Sequence, residues 1–226
     1  MHYCFRGKQI DIAERIDDFA ESKLTSAAVV RERVIRNILA RYVLHDRSVR
    51  SRSGRRQVVP HFLLNDVVRY WRTMASDYAS KMWERSRQGW GIRNVKLRFS
   101  RKLLFIWGLL AAFSGDLFAP PELHQVENDE QYFLMLADLI RSQTDVPPLE
   151  LLARVVLEAG DNDIADDIFS SYDQFLHALA DPDACTKLET VRFEDALDDP
   201  TYAGLRDVSQ RSGKASHGSF SMSIQN

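Results

Sequence analysis

Two short runs carry the side chains best suited to chemistry. The first is Trp90-Gly-Ile-Arg93-Asn94-Val-Lys96-Leu-Arg98-Phe-Ser100-Arg101-Lys102. On a helix, Arg93, Lys96 and Ser100 stand at i, i+3 and i+7 and share a face. Asn94, Arg98 and Arg101 form a second row at i, i+4 and i+7. Lysine supplies a point charge, arginine a two-pronged donor and serine a short hydroxyl, a set that suits a triphosphate. Cations at a helix start oppose the helix dipole, so acidic neighbours or an anionic ligand must compensate. A solvated basic face is the plainer alternative.

The second run is Phe62-Leu-Leu-Asn65-Asp66-Val-Val-Arg69-Tyr70-Trp71-Arg72-Thr73. Asn65, Arg69, Arg72 and Ser76 share a helical face, and Asp66, Thr73 and Asp77 continue a neighbouring stripe. Leu63, Val67, Tyr70, Met74 and Met82 lie toward the other side and are expected to pack. A half-buried arginine needs a carboxylate or a phosphate. Either Asp66 and nearby helices satisfy Arg69 and Arg72, or one arginine reaches a ligand phosphate with Asn65 and Asp66 orienting it.

Other constellations are weaker. The six histidines are scattered, with no HExxH or HxxxH spacing. Arg41 to His45 and Arg56 to His61 approach the Arg–His spacing of helical ribonucleases, but the first is one residue short and Pro60 spoils the second. No P-loop or GxSxG motif occurs. Asp161-Asn-Asp163 and Asp181-Pro-Asp183 sit at helix boundaries and read as caps. Ala165 and Asp166 spoil a calcium loop over Asp161–Asp167. Four tryptophans, Trp71, Trp83, Trp90 and Trp107, are interleaved with arginines and could stack bases, although core packing is the commoner use.

These residues need elements to position them, and the pattern is helical almost throughout. Helices are expected over Asp11–Leu24 and Ala27–Leu44, with Thr25 or Ser26 capping the second. In the latter, Val30, Val34, Ile38 and Tyr42 repeat every four residues. Asp46–Val58 reads as a basic loop, solvated or phosphate-contacting. Further helices are expected from Pro60 to about Glu84 and over about Ile92–Phe113, with a turn at Gln88–Gly91. Three more follow at about Asp129–Ser142, Pro147–Glu158 and Asp163–Leu179, with shorter ones after Asp183. The expected fold is all-α: a multi-helix bundle of about seven to nine helices without a substantial sheet.

The chain has 226 residues, 45% hydrophobic and 27% charged, which suits one or two globular domains. The net charge of −2 hides a segregation. Residues 1–107 hold 23 Lys and Arg against 10 Asp and Glu, whereas 108–226 hold 7 against 22. A basic helical bundle over 1–115, an acidic helical subdomain over 116–208 and a disordered tail over 209–226 are the expected divisions. Two distant cysteines, Cys4 and Cys185, exclude a disulfide scaffold. Met1–Ile10 lacks the apolar core of a secretion signal, and the apolar run Leu103–Phe113 is too short to span a bilayer. A cytoplasmic protein is expected, with no membrane partner.

The two quoted runs, the second extended to Leu104, together with Ser171-Tyr172-Asp173-Gln-Phe-Leu176, resemble the helical C-terminal region of bacterial nucleotidyltransferase-like proteins. That group belongs to the DNA polymerase β-type nucleotidyltransferase superfamily. The resemblance covers roughly Arg31–Ala180 and is specific only in the two runs. It implies a helical nucleotide- or acceptor-binding region. A complete enzyme of this kind would use an NTP with Mg²⁺ and carboxylates that hold the metal after a Gly-Ser turn. This chain departs from that pattern: Gly218-Ser219 has no following acid, and Ser114-Gly115-Asp116 has the wrong order. No catalytic residue, cofactor or metal ligand is therefore assigned to it. The site expected on this basis is Arg93, Lys96 and Ser100 for the triphosphate, Arg69 and Arg72 for phosphate or acceptor, and Asn65 and Asp66 in support. A non-enzymatic nucleic-acid-binding module and a regulatory subunit of a separate catalytic chain are the alternatives.

Overall fold

The computed structural model describes the backbone of residues 13–44, 58–84 and 86–223, and the side chains of 28–43, 58–84 and 86–211. Among the described residues the chain is all-α, with no strand. The basic loop within Asp46–Val58 and the Arg–His pairs ending at His45 and starting at Arg56 fall largely outside the described residues. Contacts divide the chain into two units, each built from two segments. Unit 1 comprises Met1–Leu63 and Ala111–Asp145, and unit 2 comprises Leu64–Leu110 and Val146–Asn226. Each unit thus draws on both the basic and the acidic stretch, where the reading by composition divided the chain once, at residue 115.

In unit 1, α1 (Ala13–Leu44) packs along α7 (Asp129–Thr144). The contact row on α1 is Ile35, Leu39 and Val43, which meets Tyr132, Phe133, Leu136, Ala137 and Ile140. Ion pairs flank the seam: Arg36 to Asp138 at 2.8 Å, Arg31 to Asp145 at 3.3 Å, and Arg141 to Asp145 at 3.0 Å. The stripe Val30, Val34 and Ile38 lies outside this row and is about half exposed. α1 is one continuous helix, without the break expected near Thr25 and Ser26. No glycine or proline interrupts that stretch, so the helix can propagate through it. Short α5 (Ser114–Leu117) and α6 (Pro121–Gln125) lead into α7, whose first turn is capped by the Asn128 side chain accepting from Gln131 N–H at 3.0 Å.

Unit 2 holds α2 (His61–Glu84) from Leu64 onward, α3 (Trp90–Lys96), a π-helical segment (Leu97–Arg101) and α4 (Lys102–Ala112) up to Leu110. It also holds α8 (Pro148–Glu158), α9 (Asn162–Ala180), α10 (Pro182–Thr190) and α11 (Pro200–Ser223). α9 packs along α11, and α10 lies against α3. Phe99 stacks on Phe175 with ring centroids 4.6 Å apart, and Tyr172 meets both rings edge-on.

The aspartates at helix boundaries are caps, as their positions suggested. Asp161 accepts from Ile164 N–H at 3.0 Å, and Asp181 accepts from Asp183 N–H at 2.9 Å. Helix α11 runs on to Ser223, into the stretch expected to be a disordered tail. At its near edge Ser209 is buried, as is Val208 just before it, whose carbonyl accepts from the Ser171 hydroxyl at 3.5 Å. Burial of Val208 and Ser209, in the α11 that packs along α9, anchors the start of that stretch.

Candidate functional site

The turn before α3 sets the direction of the basic run. Gly89 has φ +64°, a left-handed conformation that glycine adopts without steric cost. Ser86 and Arg87 also have positive φ, which costs energy for residues with a Cβ. Arg87 is held by Glu194 at 2.9 Å and lies 5.1 Å from the Phe193 ring centre. Gly91, expected to belong to this turn, instead lies inside α3 and is buried. A Cβ there would stand 2.6 Å from the Leu188 carbonyl oxygen, so glycine is what lets α10 approach.

Helix α2 runs antiparallel to the rod formed by α3, the π segment and α4. Val67 lies against Gly108, Trp71 stacks on Phe105 at 5.1 Å, and the Tyr78 hydroxyl meets Asn94 at 3.2 Å. These three α2 residues share one face. At about 100° per residue, Asn65, Arg69, Arg72 and Ser76 point about 120–180° away from it. All four are exposed. Arg69 turns to Asp66 on its own helix, at 3.7 Å. Arg69 and Arg72 therefore do not face the rod that carries Arg93, Lys96 and Ser100. Tyr70, expected to pack, is 57% exposed, while Trp71 takes the packing position.

Along the rod the expected face is also altered. The π segment spans Leu97–Arg101 and turns less per residue than an α-helix, so Ser100 leaves the row set by Arg93 and Lys96. Lys96 and Ser100 are exposed, and Arg93 is half-buried. The Phe99 carbonyl accepts from both the Lys102 N–H and the Tyr172 hydroxyl, the latter at 2.9 Å. A buried tyrosine thus braces the irregular turn.

The side chains that do come together are Asn94, Arg98, Tyr78 and Tyr202. Asn94 Oδ1 accepts from Arg98 Nε at 2.7 Å and from the Tyr202 hydroxyl at 2.9 Å. Asn94 Nδ2 donates to the Tyr78 hydroxyl oxygen. Asn94, Arg98 and Tyr78 are half-buried, and Tyr202 is buried. Burial pushes the Tyr78 hydroxyl above its usual value, against the Asn94 bond and the charges of Arg98, Arg101 and Arg93. Burial holds the Lys102 ammonium below its usual value, and the nearby charge of Arg98 acts in the same direction. Among the described residues no carboxylate lies within ion-pair distance of Arg98, Arg101 or Lys102. What remains free is a set of donors and positive charge, the chemistry of an anion site.

The row Asn94, Arg98 and Arg101 is visible in the sequence, but its tyrosines are not. Tyr202 lies 108 residues beyond Asn94, and no local spacing connects them. Among the described residues, no three His, Cys, Asp or Glu side chains are grouped to hold a metal ion. No described helix is long and apolar enough to cross a membrane. Comparison with protein-family models, curated proteins and solved structures finds no match to this chain.

Proposed function

We propose that this chain is a helical module that binds nucleotide phosphates, similar in role to the helical region of nucleotidyltransferase-like proteins and without catalytic carboxylates of its own. One observation carries the reading. The rod from Trp90 to Ala112 holds Arg93, Lys96, Arg98, Arg101 and Lys102 and no acidic residue, and four of these, Lys96, Arg98, Arg101 and Lys102, have no carboxylate partner among the described residues. Such a concentration of half-buried positive charge is costly until an anion neutralises it. Arg93 and Lys96 then serve the phosphates together with Arg98, and Ser100 lies on an adjoining face. Arg69 and Arg72, with Asn65 and Asp66, are left to an acceptor on the other side of α2. In a complete enzyme a separate catalytic domain or chain would supply Mg²⁺-dependent transfer from the NTP. A cytoplasmic setting, where nucleotides are plentiful, suits the role.

The first test is thermal. ATP or GTP at about 1 mM with Mg²⁺ is enough to reveal even weak, roughly millimolar binding. The melting temperature should rise with nucleotide and stay unchanged with adenosine or guanosine. A well-folded chain whose melting temperature ignores every nucleotide would remove this reading for the chain by itself.

A nucleic-acid-binding module is the second reading, and Trp83 favours it. Its indole is 84% exposed on the same side of α2 as Arg69 and Arg72, where a base can stack. Binding of this kind weakens steeply with salt. Oligonucleotide affinity that is absent at low ionic strength, or indifferent to salt, would eliminate it.

A further inference from the structure

The hydrogen bonds around Asn94 define more than a region of positive charge. Asn94 is the only neutral polar side chain between Arg93 and Arg98, and its amide organises its surroundings in one direction. Its oxygen takes Arg98 Nε and the Tyr202 hydroxyl hydrogen. Its nitrogen fills an acceptor position on the Tyr78 oxygen, which leaves the Tyr78 hydroxyl hydrogen to point elsewhere. With Nε on Asn94 and a second side-chain bond to the Tyr202 hydroxyl, Arg98 retains the remaining N–H donors of its terminal nitrogens. On the π-helical turn Arg101 and Lys102 follow Arg98 by three and four residues, and the charges of Arg101 and Arg93 act on the Tyr78 hydroxyl as that of Arg98 acts on Lys102. The free groups are therefore donors, supplied by α2 and the rod and braced by Tyr202 of α11.

We propose that the Tyr78 hydroxyl, the terminal nitrogens of Arg98, and Arg101 and Lys102 form a site for the terminal phosphate monoester of a nucleotide. The inference rests on the phosphate-binding reading above and specifies its ligand and its residues. A terminal phosphate offers three acceptor oxygens and a charge of about −1.5 to −2 at pH 7. A phosphodiester offers two free oxygens and a single charge. The donor count and the unpaired cations match the monoester better. Arginine forks hold phosphate oxygens in pairs, and the tyrosine hydroxyl and lysine ammonium can reach the third.

Calorimetric titration of the full chain tests this, with AMP, 3′,5′-cyclic AMP, inorganic phosphate and ATP as ligands. The expected result is that AMP and inorganic phosphate bind, while cyclic AMP binds at least tenfold more weakly. Arg98→Gln should weaken AMP about tenfold and Tyr78→Phe about threefold to tenfold. Arg154→Gln, on α8 and paired with Glu150, should leave binding unchanged. If Arg98→Gln fails to fold, Tyr78→Phe and Lys102→Met decide the matter: the first gives up only the half-buried bond from Asn94, and the second removes no described side-chain hydrogen bond. ATP or AMP binding that is indifferent to these variants, or cyclic AMP that binds as well as AMP, overturns the monoester site and leaves the nucleotide reading standing. Inorganic phosphate bound through Arg98, with no gain from AMP or ATP, keeps the site and removes the nucleotide. No binding by any phosphate compound to the folded chain removes both.

Discussion

Asn94 owes its position to being uncharged among cations. An aspartate there would pair with Arg98 and cancel its charge, whereas the amide holds the guanidinium by one nitrogen and leaves the charge in place. Lys102 bears the cost of this arrangement. Its ammonium is disfavoured by burial and by Arg98, so Lys102→Met should raise the melting temperature by up to about 3 °C while weakening anion binding. Scanning calorimetry with and without phosphate separates the two effects, and a variant that melts lower without ligand contradicts the assignment. Gly91 tests packing at the same scale. A methyl at that position meets the Leu188 carbonyl at 2.6 Å and Val191 at 3.1 Å, so Gly91→Ala should cost about 1–3 kcal/mol in urea unfolding. Residue chemistry was legible in the sequence where it was local, as with the caps Asp161 and Asp181. It was not legible where backbone had to approach backbone: Gly91 looks like any turn glycine until α10 is seen against it.

At the scale of elements, the helical period located most helices but did not fix which face packs. On α1 the stripe Val30, Val34 and Ile38 and the row Ile35, Leu39 and Val43 have the same spacing, and only α7 chooses between them. The seam between these helices should draw its stability from its apolar row. Leu136→Ala, at a fully buried position, should cost about 2–5 kcal/mol. Arg36→Gln removes an exposed pair and should cost less than about 1 kcal/mol. Chemical denaturation of the two variants compares them directly, and equal losses would contradict this division. The π segment is the other feature that periodicity could not reveal, since it depends on Tyr172 from α9 bonding to the Phe99 carbonyl. Burial pushes the Tyr172 hydroxyl above its usual value near 10. The fold therefore favours the neutral phenol, while the unfolded chain ionises near pH 10. The resulting stabilisation is complete below about pH 10 and is lost as the pH rises toward the folded-state value. Tyr172→Phe should cost about 1 kcal/mol at neutral pH and flatten the alkaline loss, as read from urea midpoints at about pH 8 and pH 10.5.

For the whole molecule, the charge segregation along the chain takes a different form in the units. Unit 1 contains 14 basic and 14 acidic residues, and unit 2 contains 16 and 18. Each unit combines a basic segment with an acidic one and is close to neutral. The +13 of residues 1–107 therefore does not describe a basic domain. Against that near-neutral background, the acid-free rod from Trp90 to Ala112 is a local concentration of charge. The all-α class was legible because helical spacing repeats locally throughout. The discontinuous units were not, because they depend on pairings such as α1 with α7 and α3 with α10 across long stretches of chain. The central claim is that the rod's cations hold a nucleotide phosphate, and side-chain ¹⁵N NMR of Arg98 during ATP titration tests it most directly. The account predicts that the Arg98 Nε resonance and the Asn94 amide move together and saturate at or below millimolar ATP. An Arg98 signal that stays fixed while the chain remains folded at about 1 mM ATP would contradict it.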